Sequence, residues 1–380
     1  MRVVWTDGGP DSVDELRRAL LEALDGGPAV LPLDPRNPAA PELRDAMAPD
    51  EPVEPDTAVI IPTSGSTGGP KGVLLSARAL LTSANATHAR LGGPGRWLLA
   101  SPANYVGGLQ VLTRAHLAGS APVVLDTSAG FDPDAFAEAA RALFRRPGPH
   151  YTALVPTQLA RLLDAGGAVA EGFDAIVLGG ARFDDRLRAR AEAAGVRAIS
   201  SYGMSETASG CVYEGVPLDD VRVRLGAGDR IELSGPVLTH GYRLRPDLTG
   251  QAFSPDGWFR TSDLGRLHDD GRLEVLGRVD DVINTGGVKV PASGVERVLT
   301  AHPAVRAACV VALPDPEWGQ LIAAAVVPAG DPPPEADLRA AVRERLGRAA
   351  VPKRLRYVSE LPLIGPGKVD RAAVRATLAG

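Results

Sequence analysis

The first 200 residues or so alternate short apolar runs with longer helical patterns, which limits the possible folds more than any other feature of the chain. The strand-like runs lie at residues 29–33, 58–61, 97–100, 122–125, 151–155, 175–178 and 198–200. Helical patterns lie between them, for example at residues 77–91 and 134–144. Ser12 and Glu15 have the spacing of a capping box that opens a helix ending near residue 24. Such alternation predicts an α/β fold with a mainly parallel sheet covered on both faces.

The pattern changes after about residue 211, where short strands with turn signals predominate. Runs at residues 221–225, 230–234 and 272–276 predict a small β-rich subdomain over about 211–279. Further on, a helix near 294–300, strands at 306–312 and 321–327, and a helix at 335–346 predict a compact α+β unit. The sequence therefore predicts a large N-terminal domain, residues 1–279, and a small C-terminal domain, residues 280–380.

Composition narrows the class of protein. A net charge of −5 predicts no basic face, so nucleic acid is not an expected partner. Residues 1–10 lack a basic start followed by an apolar run, and runs such as 321–329 are too short to span a bilayer. The two cysteines, Cys211 and Cys309, have no Cys-x-x-Cys partner, and the six histidines show no metal-binding spacing. These features predict a cytoplasmic protein without membrane insertion, and they leave the oligomeric state open.

The strongest local signal follows the apolar run 58–61 and reads TSGSTGGPKG over residues 63–72. Its glycines let several backbone N–H groups turn into one concavity, its hydroxyls add donors, and its lysine adds a positive charge. The pattern predicts a polyphosphate cradle. It is not a Walker A loop, because Pro70 precedes the lysine and Gly72 stands where Ser or Thr would hold Mg²⁺. The candidate phosphate-binding residues are Thr63, Ser64, Gly65, Ser66, Thr67, Gly68 and Lys71.

This run resembles the signature loop of the adenylate-forming superfamily, which comprises acyl-CoA synthetases, nonribosomal adenylation domains and luciferases. Four further segments match in the expected order, so the resemblance covers about residues 57–380. They read SYGMSET at 201–207, GWFRTSDLG at 257–265, GRVDD at 277–281 and LPLIGPGKVDR at 361–371. The resemblance implies that ATP and Mg²⁺ activate a carboxylic acid as an acyl-AMP, which then passes to the thiol of coenzyme A.

Within these segments the resemblance assigns the nucleotide-binding residues. It implies that Tyr202 stacks on adenine and that Glu206 binds the Mg²⁺ of the ATP complex, a role that suits a hard carboxylate oxygen. Thr67 is the second predicted metal ligand. Asp263 would accept the ribose hydroxyls, and Arg278 would contact ribose or phosphate. The remaining predicted nucleotide contacts are Gly180, Ala181, Gly203 and Ser205, the last of which stands where the family has Thr.

The resemblance also assigns moving parts to a mobile C-terminal domain. Lys368 would be the catalytic lysine of adenylation, because a cation can offset the negative charge that gathers when a carboxylate attacks the α-phosphorus. Asp280 would be the hinge about which the domain turns. The loop after it, with Gly286, Gly287 and Lys289, would then form the tunnel for the pantetheine arm of coenzyme A.

The identity of the acid is predicted from a narrower resemblance. The family often has a histidine before the helix that lines the acyl site; here Tyr105 occupies that place, and Gly180 lines the same pocket. Residues 87–97 and 108–114 resemble the short bacterial o-succinylbenzoate–CoA ligases of menaquinone synthesis, and Arg114 could pair with the second carboxylate of that acid. Three alternatives stay open: another aryl or acyl acid–CoA ligase, a stand-alone adenylation enzyme that loads a carrier-protein thiol, or a catalytically silent nucleotide-binding protein.

Overall fold

The protein is described here by a computed structural model, which covers residues 1–64, 69–363 and 369–379. By its internal contacts the chain divides into two compact units. The first comprises Met1–Val223 and Leu233–Arg260, and the second comprises Arg224–Glu232 and Thr261–Gly380. The short segment Arg224–Glu232 thus belongs with the C-terminal part of the chain, although the first unit precedes and follows it in sequence.

Strands and helices alternate through most of the first unit, as predicted. In chain order the elements are β1 (Arg2–Trp5), α1 (Pro10–Leu24), β2 (Val30–Leu33), α2 (Ala40–Ala46), β3 (Val59–Ser64), β4 (Pro70–Leu75), α3 (Ala77–Leu91), β5 (Arg96–Leu99), α4 (Val106–Leu117), β6 (Val123–Val124), α5 (Pro133–Phe144), β7 (His150–Leu154), α6 (Pro156–Asp164), α7 (Ala168–Glu171), β8 (Ala175–Leu178), α8 (Asp185–Ala193), β9 (Ala198–Met204), β10 (Ser209–Tyr213) and β11 (Val216–Pro217).

Strands predominate in the chain that follows. The elements are β12 (Arg222–Leu225), β13 (Arg230–Ser234), β14 (Gly241–Tyr242), α9 (Pro246–Ala252), β15 (Phe259–Leu267), β16 (Leu273–Arg278), β17 (Val282–Thr285), β18 (Val288–Pro291), α10 (Ala292–Thr300), β19 (Val305–Asp315), β20 (Gly319–Pro328), α11 (Glu335–Leu346), β21 (Arg354–Tyr357) and α12 (Arg371–Ala379).

Two sheets organise the first unit. One has the strand order β1-β2-β3-β4-β14, with β1 to β3 parallel and β4 antiparallel to both of its neighbours. The other has the order β11-β10-β9-β8-β7-β5-β6, and its strands from β5 to β9 are parallel. Every residue of β2 and β8 is buried, as expected of strands covered on both faces. The predicted α/β class with parallel, covered sheets is confirmed.

The second unit contains an antiparallel pair, β15 and β16, in a four-stranded sheet of order β12-β13-β15-β16. Its other sheet has the order β18-β17-β20-β19, with β21 added beside β20. Helices α10 and α11 pack on that sheet through Val295, Leu299, Leu338 and Val342, all of them buried. The predicted α+β character of this part of the chain is therefore confirmed. None of the helices among the described residues combines the length and apolar character needed to cross a bilayer.

The predicted capping box at the start of α1 is wrong. The N-cap residue is Gly9, three residues before Ser12, and the helix begins at Pro10. Ser12 lies inside the helix, where its hydroxyl donates to Asp7 Oδ1 at 2.7 Å and lies 3.0 Å from Gly9 O. Proline suits the first helical position, since it lacks the N–H that would otherwise stay unpaired there. Pro10 therefore marks the start of the helix, and the Ser12 hydroxyl stabilises the turn that precedes it.

Candidate active site

The carboxyl ends of β5, β7, β8 and β9 meet at one edge of the seven-stranded sheet, and the segments after them carry predicted site residues. Gly180 follows β8, Glu206 follows β9, and Tyr105 lies between β5 and α4. Gly179 N donates to Leu154 O at 3.1 Å, which joins the ends of β7 and β8. In open α/β sheets ligands bind at this edge. The topology of the first unit thus brings these segments to the edge where a substrate site is expected.

A partly buried ion pair joins the predicted phosphate-binding lysine to the predicted metal ligand. Lys71 Nζ lies 2.8 Å from Glu206 Oε1, and the Glu206 side chain is only 9% exposed. Tyr242 completes the cluster: its hydroxyl donates to Glu206 Oε1 at 2.9 Å and lies 3.2 Å from Lys71 Nζ. Burial, followed by the Glu206 carboxylate, raises the pKa of the Tyr242 phenol, which therefore stays neutral at physiological pH. The structure brings Lys71 and Glu206 together within one unit.

The lysine owes its position to the hairpin of β3 and β4. The two strands are antiparallel, with Thr63 opposite Lys71 and Ser64 opposite Pro70, and Thr63 Oγ1 donates to Lys71 O at 3.3 Å. The connecting segment begins directly after this paired base. The predicted phosphate-binding residues Gly65, Ser66, Thr67 and Gly68 lie outside the described residues, so their roles, including that of Thr67 as a metal ligand, stay predictions.

Glu206 lies in a single 3₁₀ turn, Ser205–Thr207, that directly follows β9. The fully buried Thr207 closes this turn, because its hydroxyl accepts from Met204 N at 2.9 Å and donates to Ser209 O at 2.6 Å. A Cβ at Gly203 would lie 2.1 Å from the Ser209 carbonyl oxygen, so only glycine allows β9 and β10 to approach this closely. The motif SYGMSET therefore has a structural requirement of its own, beside the predicted contacts of Tyr202, Gly203 and Ser205 with nucleotide.

In the second unit a second group of predicted residues meets. Asp263 and Arg278 are cross-strand partners on β15 and β16, and their charged groups lie 3.7 Å apart. Arg278 Nη2 also donates to Asp280 Oδ2 at 3.1 Å. Arg278 thus bridges the predicted ribose carboxylate and the predicted hinge residue. The sequence predicted a role for each of the three, but it did not predict this contact.

The predicted coenzyme A loop is the tip of the β17–β18 hairpin. Gly286 and Gly287 both have positive φ, 57° and 81°, as a tight two-residue hairpin turn requires. A Cβ at Gly286 would also lie 2.6 Å from Cε3 of Trp318, so this glycine is required for space as well. Lys289 is exposed on β18, opposite Asn284. The roles of these residues toward coenzyme A stay predictions.

Lys368 lies outside the described residues, but the element that follows it is well anchored. Helix α12 begins at Arg371, three residues beyond the lysine. The Arg371 guanidinium forms ion pairs with Asp281 at 3.3 Å and Glu296 at 2.9 Å, and it donates to Val310 O at 2.6 Å. The start of α12 is therefore joined to Asp281, the residue next to the predicted hinge.

The structure separates the two side chains predicted to read the acid. Tyr105 is the N-cap residue of α4 and is 42% exposed, whereas Arg114 is 1% exposed near the other end of that helix. Nine residues of helix correspond to a rise of about 13 Å. The Arg114 guanidinium lies over the Trp97 ring, 5.2 Å from its centroid, and among the described residues its Nε and Nη2 have no hydrogen-bond partner.

The cluster of Lys71, Glu206 and Tyr242 has oxygen donors that suit a magnesium ion bound together with a nucleotide. Among the described residues no group of three or more acidic, histidine or cysteine side chains could enclose a metal ion. Mg²⁺ does not need one, because it is commonly bound by one or two carboxylates together with substrate phosphates and water. Both contacts of the Glu206 carboxylate with Lys71 and Tyr242 use Oε1. Glu206 is therefore the residue of this unit that would hold the ion.

Comparisons with known proteins identify the class to which this fold and site belong. Residues 10–236 match the AMP-binding enzyme family, and residues 294–368 match the AMP-binding enzyme C-terminal domain. The chain belongs to the AMP-binding enzyme family.

Individual relatives narrow the comparison. The chain is 47% identical over 347 residues to a probable 2-succinylbenzoate–CoA ligase of Mycobacterium tuberculosis, with 89% of each chain covered. It is 34% identical to the 2-succinylbenzoate–CoA ligase of Geobacillus kaustophilus, covering 84% of this chain and 69% of that one. Among solved structures, the o-succinylbenzoate CoA synthetase of Bacillus subtilis in complex with its acyl-adenylate intermediate superposes with a TM-score of 0.76 at 26% identity, covering 95% and 80% of the two chains.

Proposed function

We propose that the chain is an AMP-forming acid–thiol ligase that converts 2-succinylbenzoate, also called o-succinylbenzoate, to its coenzyme A thioester in menaquinone biosynthesis. The observation that carries the proposal is the 47% identity to a probable ligase for this acid, which extends over 89% of both chains. The ion pair of Lys71 and Glu206 supports it, since a cation suited to binding phosphate lies beside a carboxylate suited to binding Mg²⁺. A cytoplasmic location belongs to the same proposal.

In the first half-reaction a carboxylate oxygen of the acid attacks the α-phosphorus of ATP, and pyrophosphate leaves as the acyl–AMP anhydride forms. Lys71 binds phosphate oxygens. Glu206 would hold the Mg²⁺ that accompanies ATP, and the ion would supply neutralisation of phosphate charge. Tyr202 and Asp263 hold adenine and ribose, and Lys368 stabilises the charge that develops at the α-phosphate.

In the second half-reaction the thiol of coenzyme A attacks the acyl carbon, its proton passes to solvent, and AMP leaves. This step needs the attacking sulfur near the acyl group and no longer needs a cation at the α-phosphate. A turn about Asp280 that withdraws Lys368 and brings in the Gly286–Gly287 turn with Lys289 would provide both changes. The division of one difficult step into two easier ones suits a poorly electrophilic carboxylate.

A panel of acids tests the proposed substrate. We expect pyrophosphate release with ATP and Mg²⁺ to be fastest, by kcat/KM, with 2-succinylbenzoate among a set that includes benzoate, 4-hydroxybenzoate, a medium-chain fatty acid and malonate. Lys368→Met serves as the inactive control, for which we expect a loss of at least about 100-fold, since one such donor is typically worth this much. A higher kcat/KM with any other acid would overturn the substrate assignment and leave the class intact.

The acceptor is tested separately. With 2-succinylbenzoate, ATP and Mg²⁺ present, free coenzyme A alone should support continuous turnover and yield the thioester, measured by mass spectrometry. Pyrophosphate release that stops after one equivalent of enzyme, and resumes only with a phosphopantetheinylated carrier protein, would instead support the carrier-loading alternative.

The role of Arg114 in reading the second carboxylate remains a proposal within this function. Its Nε and Nη2, which have no hydrogen-bond partner among the described residues, could bind a carboxylate, but its depth in the fold and its distance from Tyr105 along α4 separate it from that predicted acyl-site residue. Comparing Arg114→Met on 2-succinylbenzoate and on benzoate decides the matter. An equal loss with both acids would assign Arg114 to the core.

A further inference from the structure

Tyr242 is a buried residue that none of the five sequence segments includes, yet it contacts two of the predicted site residues. Its side chain is 6% exposed. The hydroxyl oxygen accepts from Lys71 Nζ at 3.2 Å, and its hydrogen is donated to Glu206 Oε1 at 2.9 Å. Lys71 Nζ also lies 4.4 Å from the centroid of the Tyr242 ring, which is a cation–π distance. One phenol thus contacts the cation and the anion at once.

The backbone around Tyr242 is fixed on both sides. Tyr242 pairs with Val73 in the antiparallel ladder of β14 and β4. Val73 is two residues after Lys71 on β4. Thr239 joins this segment to the glutamate turn, because its N–H donates to Glu206 O at 2.7 Å and its hydroxyl to Leu74 O at 2.6 Å. The Tyr242 phenol therefore extends from β14, and the chain at β14 is hydrogen-bonded both to β4, which carries Lys71, and to the turn that carries Glu206.

Resting on the proposed function, we propose that Tyr242 is a positioning residue for the metal-bound nucleotide. A carboxylate can rotate about its terminal torsion, and a lysine ammonium can take many positions. By donating to Oε1, the phenol fixes the carboxylate plane and leaves Oε2 for an ion or its water; among the described residues no hydrogen bond uses Oε2. The ring face and hydroxyl oxygen together hold the Lys71 ammonium in one position.

Binding of two nucleotides tests the proposal without measuring turnover. Tyr242→Phe retains the ring and removes only the hydroxyl. We expect it to weaken binding of α,β-methylene-ATP with Mn²⁺ by about 10-fold in calorimetry, as for the loss of one hydrogen bond to a charged group. Binding of AMP, which needs no metal, should stay within twofold of the wild type. A purely structural defect would weaken both ligands alike.

Tyr213→Phe is the matched control, because Tyr213 is also buried in the first unit and, within the described parts of the chain, its hydroxyl bonds only to Thr87, at 3.2 Å. We expect this variant to bind both ligands as the wild type does. Steady-state assays add a second readout: Tyr242→Phe should raise the Mg²⁺ concentration that gives half-maximal velocity, again by about 10-fold, more than it lowers kcat. Equal binding of the metal–nucleotide complex by wild type and Tyr242→Phe would overturn the proposal. Failure of the wild type to bind that complex would instead overturn the proposed function.

Discussion

His88 is a histidine of α3 that lies in the core of the first unit, 4% exposed. Its Nε2 accepts a hydrogen bond from Trp97 Nε1 at 3.3 Å. Burial, and then the neighbouring Arg114 cation, lowers the pKa of this imidazole to about 4. At neutral pH His88 is therefore an uncharged acceptor, and its place is structural, as expected for histidines without metal-binding spacing.

This pKa predicts how the stability of the fold depends on pH. Between about pH 6.5 and 4 the unfolded chain binds a proton at His88 that the native state does not, so stability falls as the pH is lowered through this window. In urea titrations at pH 7 and 4.5, wild type should lose on the order of 2 kcal/mol more unfolding free energy than His88→Gln, which keeps an acceptor for Trp97.

The exposed His116 on α4 provides the control, since His116→Gln should leave the wild-type dependence unchanged. Parallel pH profiles for wild type and His88→Gln would contradict the predicted role of burial at this residue.

Single residues were predictable from the sequence where a local motif carries them. Lys71 and Glu206 each lie in a short segment whose composition suits phosphate or metal binding, and the structure brings the pair within 2.8 Å. Tyr242 carries no such signal. It lies 171 residues from Lys71 and 36 from Glu206, and it meets them only because β14 pairs with β4. A contact that depends on strand pairing cannot be predicted from composition or spacing.

At the scale of elements, the connection between α2 and β3 is held by one buried arginine. The Arg243 side chain is 0% exposed, and its guanidinium donates to the carbonyl oxygens of Met47, Ala48, Glu51 and Pro52 and to the Glu54 carboxylate, at 2.6–3.1 Å. The composition of residues 34–56, rich in proline and acidic side chains, indicates by itself only a surface connection. The structure shows that its second half wraps a cation.

Replacing this cation should destabilise the first unit strongly. Arg243→Met leaves several carbonyl groups and one carboxylate without their donor, and we expect a loss of about 3–5 kcal/mol in urea unfolding. Arg243→Lys should recover little, because an ammonium offers three donors and a guanidinium five. Arg245→Met removes an exposed pair with Asp247, at 2.8 Å, and should cost far less, because exposed ion pairs contribute little to stability. Similar losses for Arg243→Met and Arg245→Met would contradict this account.

Element bounds were predicted best where the determining signals are local. Residues 77–91 and 335–346 were predicted as helices and form α3 and α11. Serine at the N-cap and glycine at the C-cap define α3, and both are visible in the sequence. Strands were predicted less well: residues 306–312 were predicted, but β19 extends over Val305–Asp315 because its pairing with β20 continues that far.

At the scale of the whole molecule, each of the two units contains one cysteine. Cys211 lies in the first unit and Cys309 in the second, and both are buried and free. Burial raises the pKa of each thiol to about 12. Both are therefore expected to resist alkylation in the native state, since the thiolate is the reactive form. The assignment of Arg224–Glu232 to the second unit could not be predicted from the sequence, because it depends on strand pairing and not on a local motif.

The two thiols allow the opening of each unit to be measured separately. We expect alkylation in increasing urea, followed by peptide mass spectrometry, to label Cys309 at a lower urea concentration than Cys211, because the smaller unit buries a smaller fraction of its surface. Complete labelling of both in 8 M guanidinium chloride is the control for accessibility. Coincident labelling curves would show instead that the chain unfolds as one cooperative body.

Gly72, in the strand that carries Lys71, has space for nothing larger than hydrogen. A Cβ there would lie 2.3 Å from Met47 Sδ and 2.9 Å from Ile60 Cγ2. Since neighbouring strand residues point to opposite faces, a slip by one residue would force Lys71 or Val73 into that space. The register of the β3–β4 hairpin is thus fixed by the packing on its buried face. A library of variants that lengthen or shorten the segment before Pro70 would therefore change the length of the loop without changing the position of the Lys71 ammonium.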